Sequence, residues 1–149
     1  MTRAELTEKI VTHKIMNEIK WADVAEKVGQ SKEWTTAALL GQMSMTKDQA
    51  TAAANAMGMN LSPEEIAMLM TVPSRGSLDN PVPTDPLIYR LYELVQVYGT
   101  TFKALIEEEF GDGIMSAIDF EMDIDRKADP KGDRVVITLN GKFLPYKMY

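Results

Sequence analysis

The sequence predicts an α+β fold in two parts, an N-terminal all-α helical bundle over residues 1–75 and a C-terminal α+β domain over residues 76–149 with a small antiparallel sheet. Three observations predict it. Apolar residues recur at helical spacing between capping signals as far as Met70, prolines and glycines crowd residues 73–86, and from Ile118 the apolar period shortens to two.

Between Ala4 and Lys20, Leu6, Ile10, Val11, Ile15 and Ile19 recur at helical spacing, and a second helical pattern runs through Trp21, Val24, Ala25 and Val28 before Gly29-Gln30-Ser31 breaks it. Ser31 is placed to cap a helix through Leu40 that Gly41 ends, and Thr46 to cap another through Met57 before Gly58. A hydroxyl accepts from the unpaired amides of a first turn, and glycine takes the left-handed conformation after a last one. Ser62-Pro63-Glu64-Glu65 reads as a capping box with proline at the first helical position, on a helix through Met70 that must end near Pro73. Pro73, Gly76, Pro81, Pro83 and Pro86 then exclude any regular element, so the domain boundary falls in an extended linker.

Asp85-Pro86 starts a helix expected to run to Tyr98 and stop at Gly99, with Thr100 or Thr101 capping a further helix that ends at Gly111. Ile118, Phe120, Met122 and Ile124 alternate with Asp119, Glu121, Asp123 and Asp125, the pattern of a strand with one buried face and one wet face. Val135, Ile137 and Leu139 supply a second strand after a turn at Pro130–Asp133, and Asn140-Gly141 signals a type I′ turn into Lys142-Phe143-Leu144. Two or three strands make a thin sheet with open edges, so a sheet completed by dimerisation is expected.

The 149 residues, 45% of them apolar, suffice for one ordinary core or two small ones. The absence of cysteine removes disulfides, thiolate nucleophiles and zinc–thiolate sites, and the single His13 cannot build a histidine cluster, so no metal site is expected. Residues Met1 to Lys20 carry charges every few positions, unlike a signal peptide, and no apolar run approaches a membrane span. A soluble cytoplasmic protein with no membrane partner is the expectation. Residues 1–60 hold seven Lys/Arg against seven Asp/Glu and residues 61–149 nine against fifteen, so the net charge of -6 lies wholly in the second part. Eleven methionines, with Met43, Met45, Met57, Met59, Met68 and Met70 in or between helical stretches, read as adaptable core filling.

Trp21–Gly29 followed by Ser31–Gly41 has the spacing of a helix-turn-helix, which raises the alternative of a DNA-binding regulator with a C-terminal dimerisation module. The second helix would offer Lys32, Glu33, Trp34, Thr35 and Thr36 to a groove, one cation beside a repulsive carboxylate. Phosphate neutralisation supplies most non-specific affinity. A bundle of helix-turn-helix shape used for packing is therefore favoured, with no nucleic-acid partner.

Arg90 and Glu93 lie three apart on one helix face, away from the apolar stripe of Leu87, Leu91, Leu94 and Tyr98. Read alone, they are an ordinary solvated pair, although the base precedes the acid, the weaker order for helix stability. Ser116 follows Gly113 and has no nearby histidine to activate it, so it reads either as a local backbone partner or as a hydroxyl donor to an anion.

The run from Pro83-Thr84-Asp85-Pro86-Leu87-Ile88-Tyr89-Arg90-Leu91-Tyr92-Glu93 through Gly111-Asp112-Gly113-Ile114-Met115-Ser116-Ala117-Ile118 resembles the cyanase family, also called cyanate hydratase or cyanate lyase. Thr36–Gln42 and Gly141–Pro145 extend the resemblance nearly to full length. It implies an enzyme, a carbon–nitrogen lyase that decomposes cyanate with bicarbonate as co-substrate, through carbamate, to ammonia and carbon dioxide. It implies Arg90, Glu93 and Ser116 as catalytic residues, no metal or organic cofactor, and a homodecamer of five dimers with sites shared between subunits. Arginine suits two anionic reactants because its guanidinium stays charged and presents a planar fork, whereas Glu93 would repel them and is expected to orient Arg90 instead. Some relatives carry cysteine where Ser77 stands, so the resemblance implies no need for a thiol.

From the zero net charge of the first 60 residues and from Glu33, residues 1–72 are expected not to bind duplex DNA. A salt-dependent shift of a labelled duplex at low ionic strength would revive the regulator reading.

Overall fold

The computed structural model describes residues 1–76 and 78–148; Ser77 lies outside the described residues. Two compact units follow one another, Met1–Ser77 and Leu78–Tyr149. Among the described residues the first holds α1 (Arg3–Met16), α2 (Trp21–Val28), α3 (Lys32–Leu39), α4 (Lys47–Ala56) and α5 (Pro63–Met70). The second holds α6 (Pro86–Phe110) and the antiparallel pair β1 (Gly113–Lys127) and β2 (Arg134–Pro145), an α+β architecture.

Local chemistry explains most helix ends in the first unit. Thr2, Thr46 and Ser62 each form a reciprocal capping box, with Glu5, Gln49 and Glu65 respectively, and Ser31 accepts from the Trp34 amide. Each such cap is worth about 1 kcal/mol. The expected helix from Ala4 toward Lys20 stops at Met16, because Asn17 closes it with a side-chain bond to the His13 carbonyl (2.8 Å) and Glu18 turns to a positive φ of 53°. Leu6, Ile10, Val24, Leu39 and Leu69 are fully buried, and truncating any of them to alanine would cost roughly 2–5 kcal/mol. Met45, Met57 and Met59 are buried and Met43 and Met68 pack against the same core, whereas Met70 is exposed and fills none of it. Arg3 ties α1 to its neighbours through the carbonyls of Met68 (2.7 Å), Ala38 (2.8 Å) and Met43 (3.3 Å).

The second unit departs from the sequence reading at three points. Gly99 does not end a helix, since α6 runs unbroken for 25 residues. A helical glycine costs only about 1 kcal/mol relative to alanine, less than a break that would orphan the amides and carbonyls of two new ends. Asn140-Gly141 is not a turn, because β2 continues through it and Gly141 lacks the positive φ that a type I′ turn requires. The irregularity sits on β1 instead: the register passes from Met115↔Phe143 to Phe120↔Gly141, so residues 116–119 bulge opposite Lys142. Finally, the alternating face of β1 is not buried within the chain. Ile118 is 98% exposed, and Met122 and Ile124 are also open to solvent.

At the foot of α5, Lys9 Nζ donates to Glu65 Oε1 (2.6 Å) and the Ser62 amide to Glu65 Oε2 (2.8 Å). The Lys9 bond first, and the Ser62 amide second, hold the Glu65 carboxyl below its ordinary pKa. A carboxyl depressed by folding stabilises the protein above its unfolded value of about 4.3, and this stability is lost as pH falls through the folded value. Glu65→Gln keeps an acceptor for the cap but cannot titrate. It should lower Tm at pH 7 and give a shallower fall of Tm below pH ~4; parallel acid profiles for the two proteins would exclude this linkage.

Candidate active site

The N-terminus of α6 is set by Asp85, whose Oδ1 accepts from the amides of Leu87 (2.9 Å) and Ile88 (3.0 Å), with Pro86 at the first helical position. One turn on, Arg90 Nη1 donates to Glu93 Oε2 at 3.1 Å, and the guanidinium lies 5.7 Å from the centre of the Tyr89 ring. The i,i+3 spacing thus brings Arg90 and Glu93 together as the sequence indicated. The pair is open, with the Arg90 side chain 68% exposed, and an exposed ion pair of this kind contributes about 0–1 kcal/mol. The Tyr89 contact was not read from the sequence; an aromatic residue next to Arg90 was the available signal.

Ser116 is held quite differently. It is 5% exposed, and its Oγ accepts from the amides of Ile118 (3.0 Å) and Asp119 (2.9 Å), both inside the bulge. A hydroxyl has one donor and two acceptor sites, so both acceptor sites are occupied and the proton is left to donate. The local backbone partnership and the donor role are therefore compatible. The bulge itself was not legible, because it depends on β2. A Cβ at Gly141 would lie 2.3 Å from the Ser116 carbonyl oxygen, so only glycine lets the two strands meet there.

Within one chain Arg90 and Ser116 stand at opposite ends of α6. At about 1.5 Å per residue, Arg90 is about 30 Å along the helix from Phe110. Phe143, the register partner of Met115, stacks on Phe110 with ring centres 5.1 Å apart, which fixes the neighbouring Ser116 at the far end. Among the described residues no group of three or more His, Asp or Glu is placed to hold a metal ion, and no helix is long and apolar enough to cross a membrane.

Taken together, these features define a two-unit α+β protein, a capped helical bundle followed by a long amphipathic helix and a bulged hairpin. Residues 3–73 match the family described as "Cyanate hydratase, N-terminal" and residues 80–148 the "Cyanate lyase C-terminal domain". Over 149 residues, the full length of both proteins in each case, the chain is 64% identical to a cyanate hydratase of Ralstonia pickettii and 62% identical to one of Dechloromonas aromatica. The crystal structure of cyanase from T. urticae aligns with a TM-score of 0.81 at 35% identity, covering 95% of this chain and 97% of that one. The chain belongs to the cyanate hydratase family.

Proposed function

We propose that the protein decomposes cyanate with bicarbonate, releasing ammonia and carbon dioxide. The observation that carries this reading is the full-length membership of the family with Arg90, Glu93 and Ser116 in place. A bicarbonate oxygen attacks the cyanate carbon, forming a C–O bond and a mixed dianion. Uptake of a proton and cleavage of the former bicarbonate C–O bond release carbon dioxide and leave carbamate, which takes a second proton and breaks its C–N bond to give ammonia and carbon dioxide.

Two unit charges 4 Å apart repel by about 1 kcal/mol in water but about 4 kcal/mol at an effective dielectric of 20. A covered site therefore needs a cation. Arg90 supplies it, presenting the guanidinium edge that Glu93 does not use, while the Ser116 hydroxyl donates to the oxygen on which charge accumulates. Glu93 positions Arg90 and does not itself touch the anions. Neither a metal nor an organic cofactor is assigned to this scheme.

Because Arg90 and Ser116 of one chain stand at opposite ends of α6, the reading includes sites shared between subunits of a homo-oligomer, with a decamer of five dimers as the expected assembly. The apolar stripe of α6 supports this: Leu87, Leu91, Leu94 and Tyr98 are all exposed, and no residue of α6 is buried. The hairpin offers a further open face and open edges for the same purpose. In the first unit, α2 and α3 are read as packing elements of helix-turn-helix shape. Thr35, Ala38 and Leu39 of α3 are turned into the core, and Lys32 is paired with Glu33 (3.4 Å).

Arg90→Lys is expected to lose most turnover despite keeping its charge, and Ser116→Ala to fall roughly a hundredfold or more. Glu93→Gln should assemble yet bind the anions poorly. Wild-type ammonia release by Arg90→Lys, or turnover in buffer stripped of bicarbonate, would refute the mechanism.

Light scattering should show an oligomer larger than a dimer. Co-refolding the impaired Arg90→Ala and Ser116→Ala chains should restore part of the activity, since mixed assemblies regain sites with both native residues. A fully active monomer, or no recovery in demonstrably mixed oligomers, would rule out sharing.

A further inference from the structure

We propose that Gly141 is a positioning residue for Ser116: by leaving room for the Ser116 carbonyl, it admits the bulge whose amides occupy both acceptor sites of the hydroxyl and aim its proton outward. This rests on the reading of Ser116 as a donor to the reacting anions. Gly141 pairs with Phe120 at the end of the bulge, where β2 regains regular register with β1. An added Cβ would lie 2.3 Å from the Ser116 carbonyl oxygen and 2.5 Å from Met115 Cγ. The methionine side chain can rotate away, but the carbonyl is backbone and can move only with the peptide that joins Ser116 to Ala117.

That peptide leads directly into the Ile118 and Asp119 amides, which donate to Ser116 Oγ at 3.0 and 2.9 Å. Displacing the carbonyl therefore displaces the donors that fix the hydroxyl. With an acceptor site freed, the hydroxyl oxygen is no longer anchored and its O–H is no longer held in one direction. Gly113 provides an internal comparison. A Cβ there would meet the Leu144 carbonyl oxygen at 2.4 Å and Phe143 Cζ at 2.5 Å, straining the same strand pair without meeting Ser116.

The test measures kcat and KM for ammonia release from cyanate and bicarbonate in oligomers of Gly141→Ala, Gly113→Ala, Ser116→Ala and the two double variants with Ser116→Ala. Hydrogen exchange across residues 116–119 is followed in the same samples. Gly141→Ala should lower kcat/KM by roughly tenfold or more, within the ~100-fold that an ångström-scale misplacement costs, and should speed exchange at Ile118 and Asp119. In the Ser116→Ala background the same substitution should change kcat/KM less than about threefold, as expected for coupled neighbours. Any loss in Gly113→Ala should instead be the same in both backgrounds.

Wild-type kcat/KM and exchange in Gly141→Ala would overturn the proposal, as would a full additional loss in the double variant. Should Gly141→Ala fail to assemble, Ile118→Pro decides. It removes one amide donor at an unpaired bulge position, and unchanged kcat/KM there would overturn the proposal, whereas a loss that vanishes in the Ser116→Ala background would support it. Absence of ammonia release from the wild-type chain would instead refute the cyanate reading; exchange at residues 116–119 would still report whether Gly141 holds the bulge.

Discussion

The structure of residues 78–148 is governed by one constraint: this unit contains the candidate chemistry but, among the described residues, no core of its own. A 25-residue helix with no buried residue and a two-stranded hairpin leave leucines, valines and isoleucines facing water. An isolated hairpin is marginal in water, and an apolar surface of this extent calls for a covering partner. The first unit differs. Its five short helices close around Leu6, Ile10, Val24, Leu39 and Leu69, and four of them start on a side-chain cap. One half of the chain closes its own core, while the other leaves its apolar surface open.

The two kinds of polar group in the candidate site follow from that division. Ser116 is fixed within a single chain, since two backbone amides locate its oxygen and little solvent reaches it. Arg90 is held only by an exposed contact with Glu93 and by its place over the Tyr89 ring. An exposed pair worth under about 1 kcal/mol restrains only in part a long side chain that carries about 2 kcal/mol of rotamer entropy. In a single chain Ser116 is therefore the more firmly held group, and on the proposed reading packing against α6 completes the positioning of Arg90 that Glu93 begins.

How much of this was legible depends on how local its causes are. Ser31, Thr46, Ser62 and Asp85 announced helix starts because a cap involves residues two or three apart. Gly99 was misread because a glycine's weak local preference yields to the continuity of hydrogen bonds on both sides. Asn140-Gly141 was misread for a different reason: Gly141 is glycine because a carbonyl from the other strand approaches it, and no pattern within β2 records that. The Arg90–Glu93 contact was visible in its spacing, but its catalytic assignment came from the family resemblance. The two amide bonds to Ser116 depend on a bulge set by pairing across the hairpin, which no pattern within β1 records.

On the proposed reading, the exposure of Arg90 in a single chain is compatible with catalysis and follows from the same constraint. In water its attraction for an anion 4 Å away is about 1 kcal/mol, and at an effective dielectric of 20 it is about 4 kcal/mol. Covering the apolar stripe of α6 removes water from Leu87, Leu91 and Leu94 and lowers the effective dielectric along the same turns, whose adjoining face carries Arg90. The contact that stabilises the helix thus strengthens the cation's hold on its substrates. A lone chain would lack both a covered α6 and a drying site, so catalytic competence and assembly would arise together.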